Sequence, residues 1–249
     1  MPTEINFGGI HMEKIKIGTI SYEGKTMPAG FSCDEFAKVA FGDTVPGLEL
    51  LWVPYRDVLI ADRCVYRNVS WDQLDQCGFV FGTKIQIDGH PFLCRCLKYG
   101  EWDKALDALG ENCDLWNWSD TYFWTQMVYP VGINFEIRGG VSARYQDTSD
   151  PTVRNTRIGF RPVLEPLITE LSEDMIGNNI KVFWPNQKGT LKRIETFVGR
   201  LIRFDNYDLV LETSDKIPAG CNWAVRRGQE IVINRDAITE IGEATNGEA

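Results

Sequence analysis

Residues 197–211 have the sequence FVGRLIRFDNYDLVL, and residues 231–241 have the sequence IVINRDAITEI. Both stretches are rich in β-branched and aromatic residues, and turn-forming residues interrupt them, which is typical of short strands. Apolar residues at helical spacing predict a helix at 166–176. After that helix the pattern predicts five strands, at 180–184, 197–204, 208–212, 230–233 and 237–241. One helix and five strands in about 75 residues is the outline of a small closed barrel.

Three features of these stretches resemble the Sm-like family and its bacterial branch, Hfq. They are Gly199, the Phe-Asp-Asn-Tyr turn at 204–207 and the closing Ala-Ile-Thr-Glu-Ile at 237–241. The resemblance covers residues 165–242 and implies a five-stranded barrel with an N-terminal helix. It also implies a homo-oligomer, a hexameric or heptameric ring in which strand four of one subunit pairs with strand five of the next. Such closure protects open strand edges.

The same resemblance implies a ligand site. In the family an aromatic residue between strands two and three stacks on a base, and a polar or basic pair between strands four and five completes the pocket. The matching residues are Asn206, Tyr207, Asn234 and Arg235. Stacking of a base on an aromatic ring contributes about 1–3 kcal/mol. The alternative is that Tyr207 and Arg235 are ordinary rim residues of a barrel that serves assembly.

Capping signals in the first part of the chain predict two short helices. Residues 32–35 and 70–73 each place a serine three positions before Glu or Gln, the spacing at which both side chains bind exposed amides of a helix start. The segments end at Gly42 and Gly78, which are suited to ending a helix.

Further local signals complete the organisation of this part. Asp88-Gly89 between two extended runs predicts a hairpin, and residues 101–109 before Gly110 predict a third helix. Residues 1–11 show little pattern, so the first domain is predicted at 12–164. Its end lies in a stretch bracketed by Pro162 and Pro166, because proline interrupts regular pairing.

Part of this domain resembles the C-type-lectin-like group, which includes formylglycine-generating enzymes and phage variable proteins. The resemblance rests on WNW at 116–118, IRGGVS at 137–142, Arg154, and IGFRPVL at 158–164. The resemblance does not imply catalytic activity. The enzymes of the group have reactive cysteines between these two motifs or an iron-binding pair of histidines, whereas residues 139–160 contain no cysteine and the only histidines are His11 and His90.

The residues of these motifs suit structural roles. Gly139-Gly140 permits close backbone approach. Loop carbonyls and carboxylates would be bound by Arg138, Arg154, Arg157 or Arg161. Four aromatic residues would suit recognition of a protein or glycan if exposed, namely Trp116, Trp118, Tyr122 and Trp124. The alternative is that these rings belong to the core.

The composition indicates a globular chain. Of its 249 residues 43% are hydrophobic, and 26 Lys and Arg against 35 Asp and Glu give a net charge of −9. This balance argues against broad, charge-driven nucleic-acid binding. No apolar run approaches the ~18–20 residues of a membrane span, so no membrane association is predicted. Seven irregularly spaced cysteines favour reduced thiols in a cytoplasm.

The sequence motifs predict no enzymatic activity, no catalytic residue and no cofactor. The sequence contains no Gly-rich phosphate loop, serine elbow or His-based triad. Cys94 and Cys96 share a strand face and would form a zinc site with Cys77 and His90 if the four side chains met. The absence of a paired-cysteine motif favours buried thiols, so no metal site is predicted.

The predicted fold class is α+β. It comprises an irregular C-type-lectin-like α+β domain at 12–164 and a small five-stranded Sm-like β-barrel with an N-terminal helix at 165–242. The predicted function is a non-enzymatic, oligomeric binding protein of a phage or mobile element, located in the host cytoplasm. It would bind a nucleotide, a short RNA or a nucleotide-derived signal, and act by sequestration or by inhibition of a host system. The alternatives are an adhesin or virion component that recognises a protein or glycan, and a direct inhibitor of a host protein.

Overall fold

The structure, a computed structural model, describes residues 5–7, 10–32, 35–129, 134–188, 191–218 and 221–244. The chain divides into two compact units, Met1–Glu165 and Pro166–Ala249. Strands account for 48% and helices for 13% of the structure, and large antiparallel sheets dominate. The predicted α+β class is therefore wrong, because two of the four segments predicted as helix, the one before Gly42 and the one at 166–176, instead contribute strands to the sheets.

In its described residues, the first unit contains short strands and three α-helices. Its helices are α1 (Trp71–Gln76), α2 (Glu101–Leu109) and α3 (Cys113–Trp116). Its strands are β1 (Ile5–Phe7), β2 (Ile10–Met12), β3 (Ile15–Lys16), β4 (Thr19–Tyr22), β5 (Lys25–Met27), β6 (Phe31–Ser32), β7 (Val39–Gly42), β8 (Leu51–Tyr55), β9 (Val58–Ala61), β10 (Tyr66–Arg67), β11 (Thr83–Ile87), β12 (His90–Arg95), β13 (Tyr122–Tyr129), β14 (Asn134–Gly139), β15 (Gln146–Ser149), β16 (Ile158–Phe160) and the first half of β17 (Val163–Ile168).

These strands form several sheets. One has the order β15-β14-β13-β16-β10-β6, and another has the order β5-β4-β7. A third group runs β3-β8-β9-β17, with the β11–β12 hairpin paired to β17 through β12. Strands β1 and β2 pair with each other, within the residues that the sequence pattern left unassigned.

Several local predictions are confirmed. Ser70 and Gln73 form a reciprocal capping box at the start of α1, and α2 spans the predicted residues with Gly110 as its C-cap. Asp88 and Gly89 both adopt positive φ in the β11–β12 turn. Each of these signals depends on chain neighbours only.

The helix predicted before Gly42 is wrong. Phe36–Lys38 form a single 3-10 turn, and β7 follows it at once. Ile20 of β4 pairs with Phe41 of β7, so the strand pairing overrides the local capping signal. Residues 33 and 34 of that signal lie outside the described residues.

Tryptophan side chains hold the irregular segments of the first unit. Each buried indole N–H donates to a backbone carbonyl far along the chain or across a loop, which satisfies both groups away from water. The pairs are Trp52 with Ile17 (2.9 Å), Trp71 with Thr125 (3.0 Å), Trp102 with Ala143 (2.7 Å), Trp116 with Gly110 (2.8 Å) and Trp124 with Val69 (2.8 Å).

The second unit consists of one antiparallel sheet with short 3-10 turns. After the second half of β17, its strands are β18 (Asn179–Lys188), β19 (Leu191–Phe204), β20 (Asp208–Glu212), β21 (Ala224–Arg227), β22 (Glu230–Asn234) and β23 (Glu240–Glu243). The strand order is β21-β22-β20-β19-β18-β23-β17. Buried aliphatic and aromatic side chains from β18, β19, β20 and β22 form its core.

The helix predicted at 166–176 is also wrong. Leu167 and Ile168 belong to β17 and pair with Gly242 and Ile241 of β23. Pro166 lies between these two pairs and the pairs that Val163 and Leu164 make with β9. Proline lacks an N–H for the ladder, so it stands where the strand changes partners. Only Glu173–Met175 form a helical turn, of the 3-10 type.

The predicted closed barrel and its ring pairing are corrected as well. In the described ranges the sheet does not close into a barrel. The outer edge of β22 pairs with β21, and the outer edge of β23 pairs with β17. The two edges that would join neighbouring subunits in a ring are therefore occupied within the chain.

Gly199 of β19 is closely packed against β20. A Cβ at this residue would lie 2.6 Å from the carbonyl oxygen of Glu212. The register of β19 against β20 shifts between Leu201 and Arg203, which bends the strand.

Within the described residues, every helix is too short or too polar to cross a membrane.

Candidate functional site

Four residues predicted from the second-unit motif lie together at one end of its sheet. Asn206 and Tyr207 occupy the turn between β19 and β20, and Asn234 and Arg235 follow β22. Asp208 pairs with Asn234 across β20 and β22, so the two turns are adjacent. The Arg235 backbone N–H donates to the Tyr207 carbonyl at 2.8 Å. We call residues 203–208 and 234–236 the rim.

Asp205 fixes the shape of the first rim turn. One of its carboxylate oxygens accepts hydrogen bonds from the backbone N–H groups of Tyr207 and Asp208, both at 2.8 Å. The Asp205 N–H donates in turn to the Asp208 carbonyl at 2.9 Å. These two backbone donors lower the pKa of Asp205, and the charges of Arg203 and Arg235 lower it further.

Asn234 and Arg235 fix the second rim turn. The Asn234 side-chain oxygen accepts the backbone N–H of Asp236 at 2.8 Å, as an N-cap of the short 3-10 turn that follows. The Arg235 guanidinium donates from Nη1 to the backbone carbonyl of Asp205. One arginine therefore binds the first turn through its backbone and through its side chain.

The Tyr207 ring projects from this braced turn. It is 78% exposed, the highest value among the large hydrophobic side chains of the described chain. Asn206 and Asn234 are also exposed, and Arg235 is half-buried. An exposed ring on a hydrogen-bonded turn, with two amides and a guanidinium beside it, offers a stacking face and neutral and cationic donors.

The four aromatic residues of the first unit that were predicted to recognise a protein or glycan are buried or half-buried. Trp116 and Trp124 are fully buried, and their N–H groups donate to the carbonyls of Gly110 and Val69. Trp118 is half-buried and donates to the Glu111 carbonyl at 2.8 Å. Tyr122 is half-buried, beside the Tyr145 ring and under the Arg157 guanidinium. The four rings do not form an exposed aromatic face.

The glycine and arginine motifs of the first unit have the structural roles that their chemistry indicated. A Cβ on Gly140 would lie 2.3 Å from the Tyr122 ring. Arg138 donates to Asp103 and to Gln146, the latter at 3.1 Å. Arg154 donates to the Asn68 carbonyl at 3.1 Å.

Sequence reasoning missed a buried ionic network in the first unit. Arg95 makes a two-pronged contact with Glu101, with both N–O distances 2.7 Å, and also contacts Glu165. Lys98 donates to Glu165 at 2.8 Å. Burial alone would raise the pKa of Glu101, yet Arg95 outweighs it and the pKa lies below its ordinary value. Two cations balance two carboxylates, so the network is a compensated structural element.

Three described cysteines of the first unit are buried, namely Cys64, Cys94 and Cys96. Burial raises the pKa of Cys64 to about 11 and raises that of Cys94 as well, so both stay protonated at neutral pH. Among the described residues, no three His, Cys, Asp or Glu side chains are grouped to hold a metal ion. His90 is exposed, whereas Cys94 and Cys96 are buried.

Comparison of the chain with protein-family models, with curated proteins and with solved structures finds no match in any of the three. Known proteins therefore give no support to either the Sm-like or the lectin-like resemblance.

Proposed function

We propose that this chain is a non-enzymatic binding protein whose rim holds the base of a nucleotide, a short RNA or a nucleotide-derived signal. The base stacks on the Tyr207 ring, and Arg235 and the amides of Asn206 and Asn234 contact its edge. The single observation that carries this proposal is the exposed Tyr207 ring on a turn that Asp205 and Arg235 brace.

The bracing supports a binding role because it reduces the entropy lost on association. A ring on a flexible loop would have to be ordered when the ligand arrives. Here the backbone beneath the ring already has hydrogen bonds to Asp205 and Arg235. An exposed tyrosine held in this way is ready to stack, and it needs no ring of subunits to do so.

The proposed biological effect is sequestration of the ligand or inhibition of a host system that depends on it. The four predicted residues of the rim have a chemistry of recognition: Tyr207 offers a stacking face, Asn206 and Asn234 offer amides, and Arg235 offers a guanidinium. A protein that binds without converting its ligand acts through occupancy, so its effect scales with its concentration relative to the ligand.

The test is a binding titration with fluorescein-labelled single-stranded oligoadenylate and oligouridylate, followed by anisotropy at low salt. Tyr207→Ala is expected to weaken binding by about 5–150-fold, the equivalent of about 1–3 kcal/mol of stacking. Tyr207→Phe keeps the stacking ring and is expected to bind within about twofold of the wild type.

The matched control is Tyr99→Ala, because Tyr99 is a second tyrosine of similar exposure, 75%, in the first unit. Its loss is expected to leave binding unchanged. Equal affinity of the wild type and Tyr207→Ala for both oligonucleotides, or no binding of either oligonucleotide or of free adenosine, would remove the proposal. Loss of binding in Tyr99→Ala as well would assign the interaction to another surface.

A further inference from the structure

The charges around Tyr207 narrow the class of ligand. Resting on the proposed function, we infer that the rim recognises an uncharged base or nucleoside and discriminates against phosphate-rich ligands. Its preferred ligand is therefore a nucleoside, or a base whose phosphates point into solvent, rather than a nucleoside polyphosphate.

Carboxylates outnumber cations in the rim. Its cations are Arg203 and Arg235, and its carboxylates are Asp205, Asp208 and Asp236. The sum is two positive and three negative charges, a net charge of −1 in the immediate surroundings of the Tyr207 ring. A phosphate-binding site has the opposite balance, since phosphate is held by clustered cations or by helix N-termini.

One rim cation, Arg235, is already engaged with the protein, and the other lies near a carboxylate. The Arg235 guanidinium donates to the Asp205 carbonyl, and both Arg203 and Arg235 lie close enough to stabilise the charged form of Asp205. Asp205 itself is ionised and bound to its own turn. The two arginines therefore face a carboxylate before any ligand arrives.

Asp208 and Asp236 lack such compensation. Neither carboxylate forms a salt bridge or accepts a hydrogen bond from any described residue, although the Asp208 and Asp236 backbone N–H groups are both engaged. Asp236 is exposed and follows Arg235 directly, and Asp208 pairs in register with Asn234. Their charges repel a phosphate chain that extends from a base stacked on Tyr207.

Neutral groups remain for the edge of the base. The Asn234 side-chain oxygen is committed to the Asp236 N–H, which orients its amide nitrogen as a donor. Asn206 lies next to Tyr207 on the exposed side of the turn. Amides recognise base edges through paired donors and acceptors and carry no charge that would attract phosphate.

The experiment compares adenosine with ATP by isothermal titration calorimetry, in EDTA so that no divalent cation masks the phosphates. Adenosine is expected to bind at least about fivefold more tightly than ATP at low salt, because the triphosphate brings several negative charges to a site of net charge −1. Raising the salt is expected to improve ATP binding, since it screens repulsion. A phosphate-binding site would show the opposite salt dependence.

Asp236→Asn tests the source of the discrimination. It removes one charge and keeps the backbone N–H that donates to the capping Asn234 side chain, so ATP affinity is expected to rise about threefold to fivefold while adenosine affinity stays within about twofold. Glu13→Gln removes an exposed carboxylate in the first unit and is the matched control, with no expected effect on either ligand.

The outcomes separate the two proposals. ATP binding more tightly than adenosine, with Tyr207→Ala weakening both, would overturn the discrimination and leave base binding at the rim intact. No binding of adenosine, ATP or oligonucleotide would overturn the proposed function and the discrimination together. The ratio of adenosine to ATP affinity is also measured in Asp236→Asn and in the double variant with Asp208→Asn. If neither variant changes this ratio, the discrimination does not come from these two carboxylates.

Discussion

The guanidinium carbon of Arg161 lies 4.9 Å from the centre of the Trp102 ring. The Phe123 ring centre lies 4.7 Å from the same carbon, and the two ring centres are 5.0 Å apart, so the cation packs against an edge-to-face pair of aromatic rings. The group is fully buried and donates to backbone carbonyls, among them that of Trp116 at 2.6 Å. One planar cation thus joins the loop around Trp116 to the core of the first unit.

Arg161→Lys is expected to destabilise the protein by about 2–3 kcal/mol, because an ammonium retains the charge but cannot match the planar contacts or reach the same carbonyls. Urea denaturation monitored by tryptophan fluorescence measures the change. Arg154→Lys is the control: this arginine is exposed, and the expected loss is below about 1 kcal/mol. Equal losses in the two variants would contradict the central role of Arg161.

Gly140→Ala is expected to destabilise the first unit by about 3 kcal/mol or more. The added Cβ would lie 2.3 Å from the Tyr122 ring, at a residue with φ of +78°, so steric overlap adds to backbone strain. Gly24→Ala separates the two effects, since Gly24 has the same φ of +78° and no atom within 4 Å of the added Cβ. Its expected cost is only about 1 kcal/mol. The melting temperatures of the two variants are compared by thermal denaturation. Equal decreases would show that overlap with the Tyr122 ring adds nothing to the backbone strain.

Local features of the structure were predictable because they depend on chain neighbours. The Ser70–Gln73 capping box and the Asp88-Gly89 turn each satisfy their own backbone groups or conformations. The rim was predictable in part for the same reason, since the Asp205 carboxylate binds amides only two and three residues ahead. The second turn of the rim, at 234–236, lies beside the first because Asp208 and Asn234 are cross-strand partners of β20 and β22.

Features that depend on distant partners were not predictable. Leu167 and Ile168 lie at helical spacing with later apolar residues, yet β23, more than seventy positions further on, recruits them into a strand. Residues 224–227, Ala-Val-Arg-Arg, carry too weak an alternation to reveal β21, and that strand covers the edge on which the ring pairing depended. Similarly, nothing adjacent to Arg95 identifies Glu165 as its partner.

The braced turn beneath Tyr207 is expected to weaken in acid. Two backbone N–H groups lower the pKa of Asp205 in the folded protein, so the ionised carboxylate stabilises the turn at every pH above its ordinary value of about 3.9. That contribution is lost as the pH falls through the lowered folded-state pKa. Amide NMR signals of Tyr207 and Asp208, followed from pH 7 to pH 2, measure the transition.

Asp205→Asn is the matched variant for this titration. Its amide oxygen still accepts a hydrogen bond but does not ionise in this range, so the two amide signals are expected to lose their acid transition. If the wild-type signals show no transition, or if Asp205→Asn retains it, another group is responsible.

We expect β21 to block pairing of the β22 edge with a second copy of the chain. The Asn234 N–H donates to the Trp223 carbonyl at 2.8 Å, and antiparallel alternation then directs the Val225 N–H toward β22. Val225→Pro removes that donor and is expected to release β21, which exposes the β22 edge to pairing with a second copy. Native mass spectrometry is expected to show new oligomers in this variant. Val225→Ala keeps the N–H and the strand, so its subunit count should equal that of the wild type. An unchanged count in Val225→Pro, with the sheet still folded by circular dichroism, would show that β21 is not what blocks the edge.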